Sequence, residues 1–338
     1  MREKIEMILN ELTNRFADTR AHLFAVSLQS LEEQTAVFTG RVLDGATLQI
    51  LRETLTKQLP DLVAKTDAIV VLRQDLPKIL SVGTNLTGLY LKPEFGELLS
   101  ELMYGWPLEI VEERGEWGFI RQMDGYLGWA YLPYLTDDVI PSPTHLVVEP
   151  VGLLRGAPEP DASFLGRVLG GTSVRVLRQE NGWARVDANI NGWLPLTALR
   201  DFEEIPQSAQ QKRSQMMLDA ARLTGVPYLW GGCSANGIDC SGFAQLLHRW
   251  VGVTTPRDAD MQFRHGRRVE PPFFPGDLLF FGDSGSSHIT HVAVSLGGWQ
   301  IIHSSRSRNG VYMDDVQCVP YLKENYLRAC TYFDDREG

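Results

Sequence analysis

The sequence predicts an α+β chain of several domains. A small N-terminal α+β module occupies residues 1–80, two β-barrels occupy 81–140 and 141–204, and a C-terminal α+β domain occupies 205–338. Three observations carry this prediction. The chain has 338 residues, enough for two to four domains when some are small. Its apolar residues recur at helical spacing near the N-terminus and in alternation through the middle. Residues 88–134 and 152–199 also repeat one another.

In the first module, Ile5, Ile8, Leu9, Leu12 and Phe16 recur at helical spacing, which predicts an amphipathic helix. Residues 22–43 read as a β-hairpin around a polar turn, 46–59 as a helix with Leu48, Leu51, Leu55 and Leu59 on one face, and 68–72 (AIVVL) as a buried strand. The module holds no constellation of catalytic residue types. The first twenty residues carry a charge every two or three positions and lack the apolar core of a secretory signal peptide. The expectation is a protein that stays in the cytoplasm.

Composition removes several classes of function. With 32 Lys and Arg against 42 Asp and Glu, the formal charge is −10, which argues against nucleic acid as a partner. No run approaches the roughly 18–20 apolar residues of a membrane helix, so no membrane partner is expected. Four cysteines (Cys233, Cys240, Cys318 and Cys330) are too few for a disulfide scaffold. No set of His, Cys and carboxylate residues has the spacing of a zinc site, so neither a metal nor another cofactor is expected. Oligomeric state is not readable.

In the repeat, Gly88-Leu89 matches Gly152-Leu153, Trp117 matches Trp183, and Gly128-Trp129 matches Gly192-Trp193. Each unit has short alternating strands, a Gly-rich turn and a closing Gly-Trp strand, the spacing of a small β-barrel. The pattern resembles bacterial SH3-like domains. The plainer reading makes the barrels spacers and Trp117, Trp129, Trp183 and Trp193 core residues.

Residues 202–211 read as a linker and MMLDAARLTG as a helix stopped by Gly225 and Pro227. Next comes the most specific stretch, Tyr228-Leu-Trp230-Gly-Gly-Cys233 through Ile238-Asp239-Cys240-Ser241-Gly-Phe243. Phe243, Leu246, Leu247 and Trp250 recur at helical spacing, so Cys240 falls at the first turn of a helix. Free N–H groups and the helix dipole there favour a thiolate and can receive an oxyanion. Asp239 and Ser241 serve equally well as helix caps. A thiol nucleophile needs a proton acceptor, for which histidine is the usual choice. His291 begins the alternating strand HVAVSLGG, and His303 ends the strand WQIIH across a Gly297-Gly298 turn. On adjacent antiparallel strands, one ring can orient the other. Of the remaining thiols and histidines, Cys233 reads as a loop thiol, Cys318 and Cys330 as buried or partly buried thiols, His248 as a partly exposed helix residue, and His288 as part of a polar loop.

The series Y-x-W-G-G, G-I-D-C-S-G-F, F-P-G-D-L-L-F-F, H-V-A-V and I-I-H-S resembles the NlpC-type papain-like cysteine peptidases over about 130 C-terminal residues. The resemblance implies Cys240 as nucleophile, His291 as general base and His303 as its orienting residue. It implies that Tyr228 lines the site and that Trp230, Asp239 and Ser241 contact a peptide substrate. Pro256 to Gln262 resembles the family's P-R-x-S-x-x-Q stretch, which puts Arg257 and Asp258 near the substrate, with Ala259 where a serine is common.

Such enzymes mostly cleave γ-D-glutamyl bonds to a diamino acid in peptidoglycan stem peptides. Together with the tandem barrels, the resemblance implies an endopeptidase acting on murein tripeptides or tetrapeptides, with meso-diaminopimelate or L-Lys after the D-Glu. In overall length and domain order the chain resembles the cytoplasmic members that recycle murein peptides with a free N-terminal L-Ala, whose ammonium needs acidic partners. Asp239 and then Asp258 are the candidates. Tyr126 and Glu101 of the first repeat are candidate lid residues, against a packing role for Tyr126 and a solvated charge for Glu101. Two alternatives stay open: a secreted wall hydrolase whose export segment has been removed, with wall-binding barrels, and a non-catalytic wall-peptide binding protein.

Overall fold

The computed structural model describes residues 1–73, 76–138, 141–283 and 288–334. Residue 140, the expected end of the first barrel, and most of the polar loop before His288 lie outside these. The chain divides into two units, one of residues 1–80 with 108–130 and the other of 81–107 with 131–338. Residues 108–130 of the predicted first barrel thus belong to the first unit and its remainder to the second. Among the described residues no helix is long and apolar enough to cross a membrane.

The first unit opens with α1 (Arg2–Arg15), which buries Ile5, Ile8, Leu9 and Leu12 as one helical stripe. Strands β1 (Phe24–Glu32) and β2 (Thr35–Val42) form the predicted hairpin, with Phe24 opposite Val42. Asp44 caps α2 (Gly45–Gln58) by accepting the Thr47 N–H at 2.9 Å. That helix carries the chain back to β3 (Val63–Val71), which pairs parallel to β2. The strand is longer than the apolar stretch that predicts it and is not the buried strand expected, since Ile69 and Thr66 are buried while Ala68 and Val70 face solvent. Phe38, Leu51, Leu55 and Ile69 pack with the α1 stripe into one core. A second cluster gathers Leu43, Val111 and Leu127.

In the second unit, residues 145–201 form a seven-stranded antiparallel sheet around Val147, Leu154, Val168, Val174, Val186 and Leu194. Trp193 is 8 % exposed and Trp183 is half-buried. In the first unit Trp129 is also 8 % exposed, stacked at an angle on Phe119, and Trp117 is half-buried. The Gly-Trp pairs of the repeat are therefore packing residues.

The predicted linker ends in a helix that starts earlier than expected. Ser208 caps α3 (Ala209–Arg222). Beyond it, α4 (Cys240–Trp250) packs on a six-stranded antiparallel sheet. Four of its strands are β4 (Leu278–Gly282), β5 (Ile289–Gly297), β6 (Gln300–Ser305) and β7 (Gly310–Asp315), neighbours in that order with β7 at the edge. Both faces of this sheet are buried, which is why LLFF reads as an unbroken apolar run. Phe280, Val292 and Val294 pack against Phe243, Leu247 and Trp250 of α4, while Leu279, Phe281, Ala293 and Ile301 form a core on the opposite face.

Candidate active site

The placement of Cys240 begins with its neighbour. Asp239 is the cap of α4 and accepts the Gly242 N–H at 2.7 Å, so Cys240 becomes the first helical residue. The Asp239 carboxylate also accepts the Gly231 N–H (2.9 Å), the Ser241 hydroxyl (3.2 Å) and two bonds from Arg257 (3.1 and 2.7 Å). Arg257 is 1 % exposed and donates further to Ser241 Oγ and Ser100 Oγ. Asp239, Ser241 and Arg257 thus form one buried network that fixes the nucleophile's helix. Their polar atoms are engaged with one another.

The loop before the cap is held from the other side by the strand Leu98–Met103. Gly231 has φ +79°, and a Cβ there would lie 2.5 Å from the Leu98 carbonyl oxygen, so only glycine lets the two backbones meet. Glu101, 5 % exposed, accepts the Cys233 N–H at 2.8 Å. It is not the solvated charge that its sequence context suggests. Burial raises its pKa, and the Cys233 N–H and Ser234 oppose that rise. Cys233 itself is buried with its sulfur 3.4 Å from Ser100 Oγ.

Facing the helix start, β5 and β6 run antiparallel and bring two histidines together. His291 Nε2 lies 2.7 Å from His303 Nδ1, and His303 Nε2 lies 3.0 Å from Asp314 Oδ2 on β7. These contacts determine where the protons sit. An ionised carboxylate only accepts, so His303 must donate from Nε2 and accept at Nδ1. His291 must then donate from Nε2, which leaves the lone pair on its Nδ1. The backbone of Val292, one residue on, and that of Ser241 favour the ionised form of Cys240. Asp314 is in turn held by Arg308 at 2.7 Å. Sequence reasoning did not find Asp314, because a DD pair ending a strand carries no motif of its own.

Electrostatics at the site correct one expectation. The helix start predicts a thiolate, yet burial pushes the Cys240 thiol up to about 12, with the Asp239 charge adding to the rise. A helix N-terminus contributes only about 0.3–1 kcal/mol at an exposed site, less than desolvating a thiolate costs. Burial likewise pushes His291 down to about 3, assisted by His303. Both shifts favour the uncharged forms, a thiol and a neutral imidazole.

The other predicted residues fall at different depths. Tyr228 is half-buried, bridged to Ile238, and near enough to Cys240 for a thiolate charge to raise its pKa further. Trp230 is 59 % exposed. Asp258 is half-buried, 3.9 Å from Arg257, and precedes the helix Ala259–His265. Tyr126 belongs to the first unit, where it is buried and donates its N–H to Asp124 Oδ1. Three bystanders also differ from expectation. His248 is fully buried, with its Nδ1 on the Ala244 carbonyl, because α4 is enclosed on nearly all sides. Cys233 lies in a short strand, and Cys318 is exposed.

Residues 225–331 match the model of the NlpC/P60 family. A gamma-D-glutamyl-L-lysine dipeptidyl-peptidase of Bacillus cereus is 29 % identical over 256 residues, covering 70 % of this chain and 75 % of the relative. Its Bacillus subtilis counterpart is 28 % identical over 242 residues, covering 67 % and 78 %. Among solved structures, a crystal structure of an NlpC/P60 family protein from Bacillus cereus superposes with a TM-score of 0.67 at 24 % identity. That alignment covers 76 % of this chain and 100 % of the other.

Proposed function

We propose that this chain, whose C-terminal domain belongs to the NlpC/P60 family of cysteine peptidases, hydrolyses the bond between γ-D-glutamate and a diamino acid in murein peptides that carry a free N-terminal L-Ala. The observation that carries the reading is the proton order from Asp314 through His303 to His291, which leaves the unprotonated nitrogen of His291, Nδ1, on the side away from His303. The names of the two Bacillus relatives supply the substrate class.

In the proposed mechanism, Cys240 Sγ attacks the γ-carbonyl carbon while its proton passes to His291 Nδ1. The imidazolium that forms is stabilised through His303 by Asp314. Burial keeps the Tyr228 phenol protonated, so it can donate to the tetrahedral oxyanion. His291 then gives its proton to the departing amine as the C–N bond breaks, leaving an L-Ala-γ-D-Glu thioester. It next removes a proton from the water that hydrolyses this thioester.

Glu101 and Asp258 are the carboxylates we assign to the substrate's ammonium, with Trp230 as an exposed apolar wall. Asp239 and Arg257 act through the position of Cys240 instead. We place the reaction in the cytoplasm, in recycling of released peptides. SH3-like barrels at 81–140 and 141–204 are part of the same reading.

The test is to incubate the protein with L-Ala-γ-D-Glu-diaminopimelate, its L-Lys analogue and their N-acetylated forms, following products by mass spectrometry. Cleavage confined to the free-amine peptides supports the reading. Equal cleavage of acetylated forms removes the free-amine requirement, and no cleavage of any, with Cys240→Ala as baseline, removes the peptidase.

A further inference from the structure

Three arginines act electrostatically on the groups of the site, and they differ in what holds them. Arg257 acts on Tyr228 and Cys240, but it is buried and bound by Asp239. Arg308 acts on His303 and is bound by Asp314. Arg306, two residues before Arg308, acts on the Tyr228 phenol, is exposed, and has no carboxylate partner among the described residues.

Backbone geometry places the turn that carries this cation beside the segment that delivers Tyr228. Residues 306–309 form the turn between β6 and β7. Val311 donates its N–H to Val226 at 3.0 Å and accepts from the Gly225 N–H at 2.9 Å, which ties the turn to the segment that delivers Tyr228. Gly310 is packed so closely that a Cβ would lie 2.7 Å from the Val226 carbonyl oxygen. On the other side, Ser304 donates its hydroxyl to the Ile238 carbonyl at 2.6 Å, and Ile238 is the bridge partner of Tyr228. The base of the turn is therefore fixed to both segments that frame the nucleophile, while the Arg306 side chain is left to solvent.

A γ-D-glutamyl peptide brings negative charge to this site. The D-Glu α-carboxylate carbon sits four bonds from the reacting carbonyl carbon, and the leaving diamino acid carries a carboxylate of its own. His291 and His303 are both held towards the neutral form and contribute no charge to meet it. We propose that Arg306 is a specificity-determining residue that binds a substrate carboxylate beside the scissile bond. The proposal rests on the function proposed above and assigns the charge preference of that site.

The experiment compares Arg306→Gln and Arg306→Lys with the unmodified protein on three peptides. These are L-Ala-γ-D-Glu-L-Lys, the same peptide amidated at the D-Glu α-carboxyl, and the same peptide amidated at the Lys carboxyl. Arg306→Gln is expected to lower kcat/KM on the first peptide about 10- to 100-fold, mostly through KM, the effect of losing one charge-assisted hydrogen bond. Arg306→Lys should restore part of it. The amidated peptide on which the variant and the unmodified protein become equal identifies the carboxylate that Arg306 binds. An unchanged kcat/KM, or an equal loss on all three peptides, overturns the proposal. If the unmodified protein cleaves none of the three, it is the function itself that fails.

Discussion

His303 Nε2 stands 3.0 Å from Asp314 Oδ2, and this contact sets the tautomer of both histidines at the site. The carboxylate can only accept, so the proton order runs in one direction from Asp314 to His291. Asp314→Asn replaces the acceptor with a group that can also donate. His303 is then free to carry its proton on Nδ1, which makes His291 Nε2 the acceptor and protonates the nitrogen needed by Cys240. The expected result is a loss of about 10²–10⁴ in kcat, the scale seen when a catalytic histidine is left in the wrong tautomer, with the melting temperature little changed. Arg308→Gln is the control. Arg308 is about half exposed and pairs with the other Asp314 oxygen, so its removal should cost less than about tenfold. Equal effects from the two substitutions would mean that charge at Asp314, and not proton order, is what matters.

The nucleophile's helix makes a second, steric prediction. A Cβ on Gly242 would lie 2.3 Å from the Gly232 carbonyl oxygen. That obstacle is backbone on one side and the capped first turn on the other, so Gly242→Ala must displace Cys240 relative to His291. A drop of more than about tenfold in kcat is expected, since small misplacements of reacting groups carry large rate penalties. Alkylation of Cys240 by iodoacetamide, followed by mass spectrometry, should change in step with it. Wild-type kcat in a folded Gly242→Ala protein would show that the loop yields without moving the nucleophile.

The sequence exposes the parts of this site that depend on local pattern. Helical spacing after Cys240 and the alternation around His291 mark the two elements that carry the chemistry, and both lie where those patterns put them. Burial is where local pattern runs out. Glu101 looks like a surface charge because a lone carboxylate is usually solvated, yet it is covered where its strand meets Cys233. His248 sits among apolar residues in a helix whose every face is packed, which a single amphipathic stripe does not announce. Asp314 is visible only once β6 and β7 are paired, with His303 opposite Tyr312. Likewise, Arg257 and Asp239 read as substrate contacts from motif order, and only their mutual distances identify them as a network behind the helix cap.

That network yields a stability prediction. Arg257→Met strands a buried carboxylate that retains its bonds from Gly242, Gly231 and Ser241 but loses its countercharge. Removing one member of a buried ion pair costs about 3–5 kcal/mol. The double variant Arg257→Met/Asp239→Asn removes both charges, so its loss should be smaller than the sum of the single losses, by about 1 kcal/mol or more. Urea unfolding of the four proteins measures this. Strict additivity would show that Arg257 and Asp239 stabilise the fold independently.

The buried histidines predict how stability depends on pH. Burial pushes His248 down to about 4 and His291 down to about 3, against an ordinary value near 6.5. Between those limits the unfolded chain binds protons that the native protein excludes. Stability is therefore complete above about pH 6.5 and declines as the pH falls, by up to about 1.4 kcal/mol per pH unit for each such group. His248 isolates the effect because it lies outside the reacting groups. Its ring stacks on Phe333 at 5.4 Å, its Nδ1 is bonded to the Ala244 carbonyl, and the nearby Arg213 charge further disfavours protonation. His248→Phe keeps an aromatic ring at the stack and removes the titrating group together with an Nε2 that has no hydrogen-bond partner among the described residues. At pH 8 the variant should be equal to the parent or slightly less stable, through the lost Ala244 bond. Towards pH 5 its melting temperature should rise relative to the parent by a few degrees. A difference that stays constant across that range would locate the acid sensitivity in other groups.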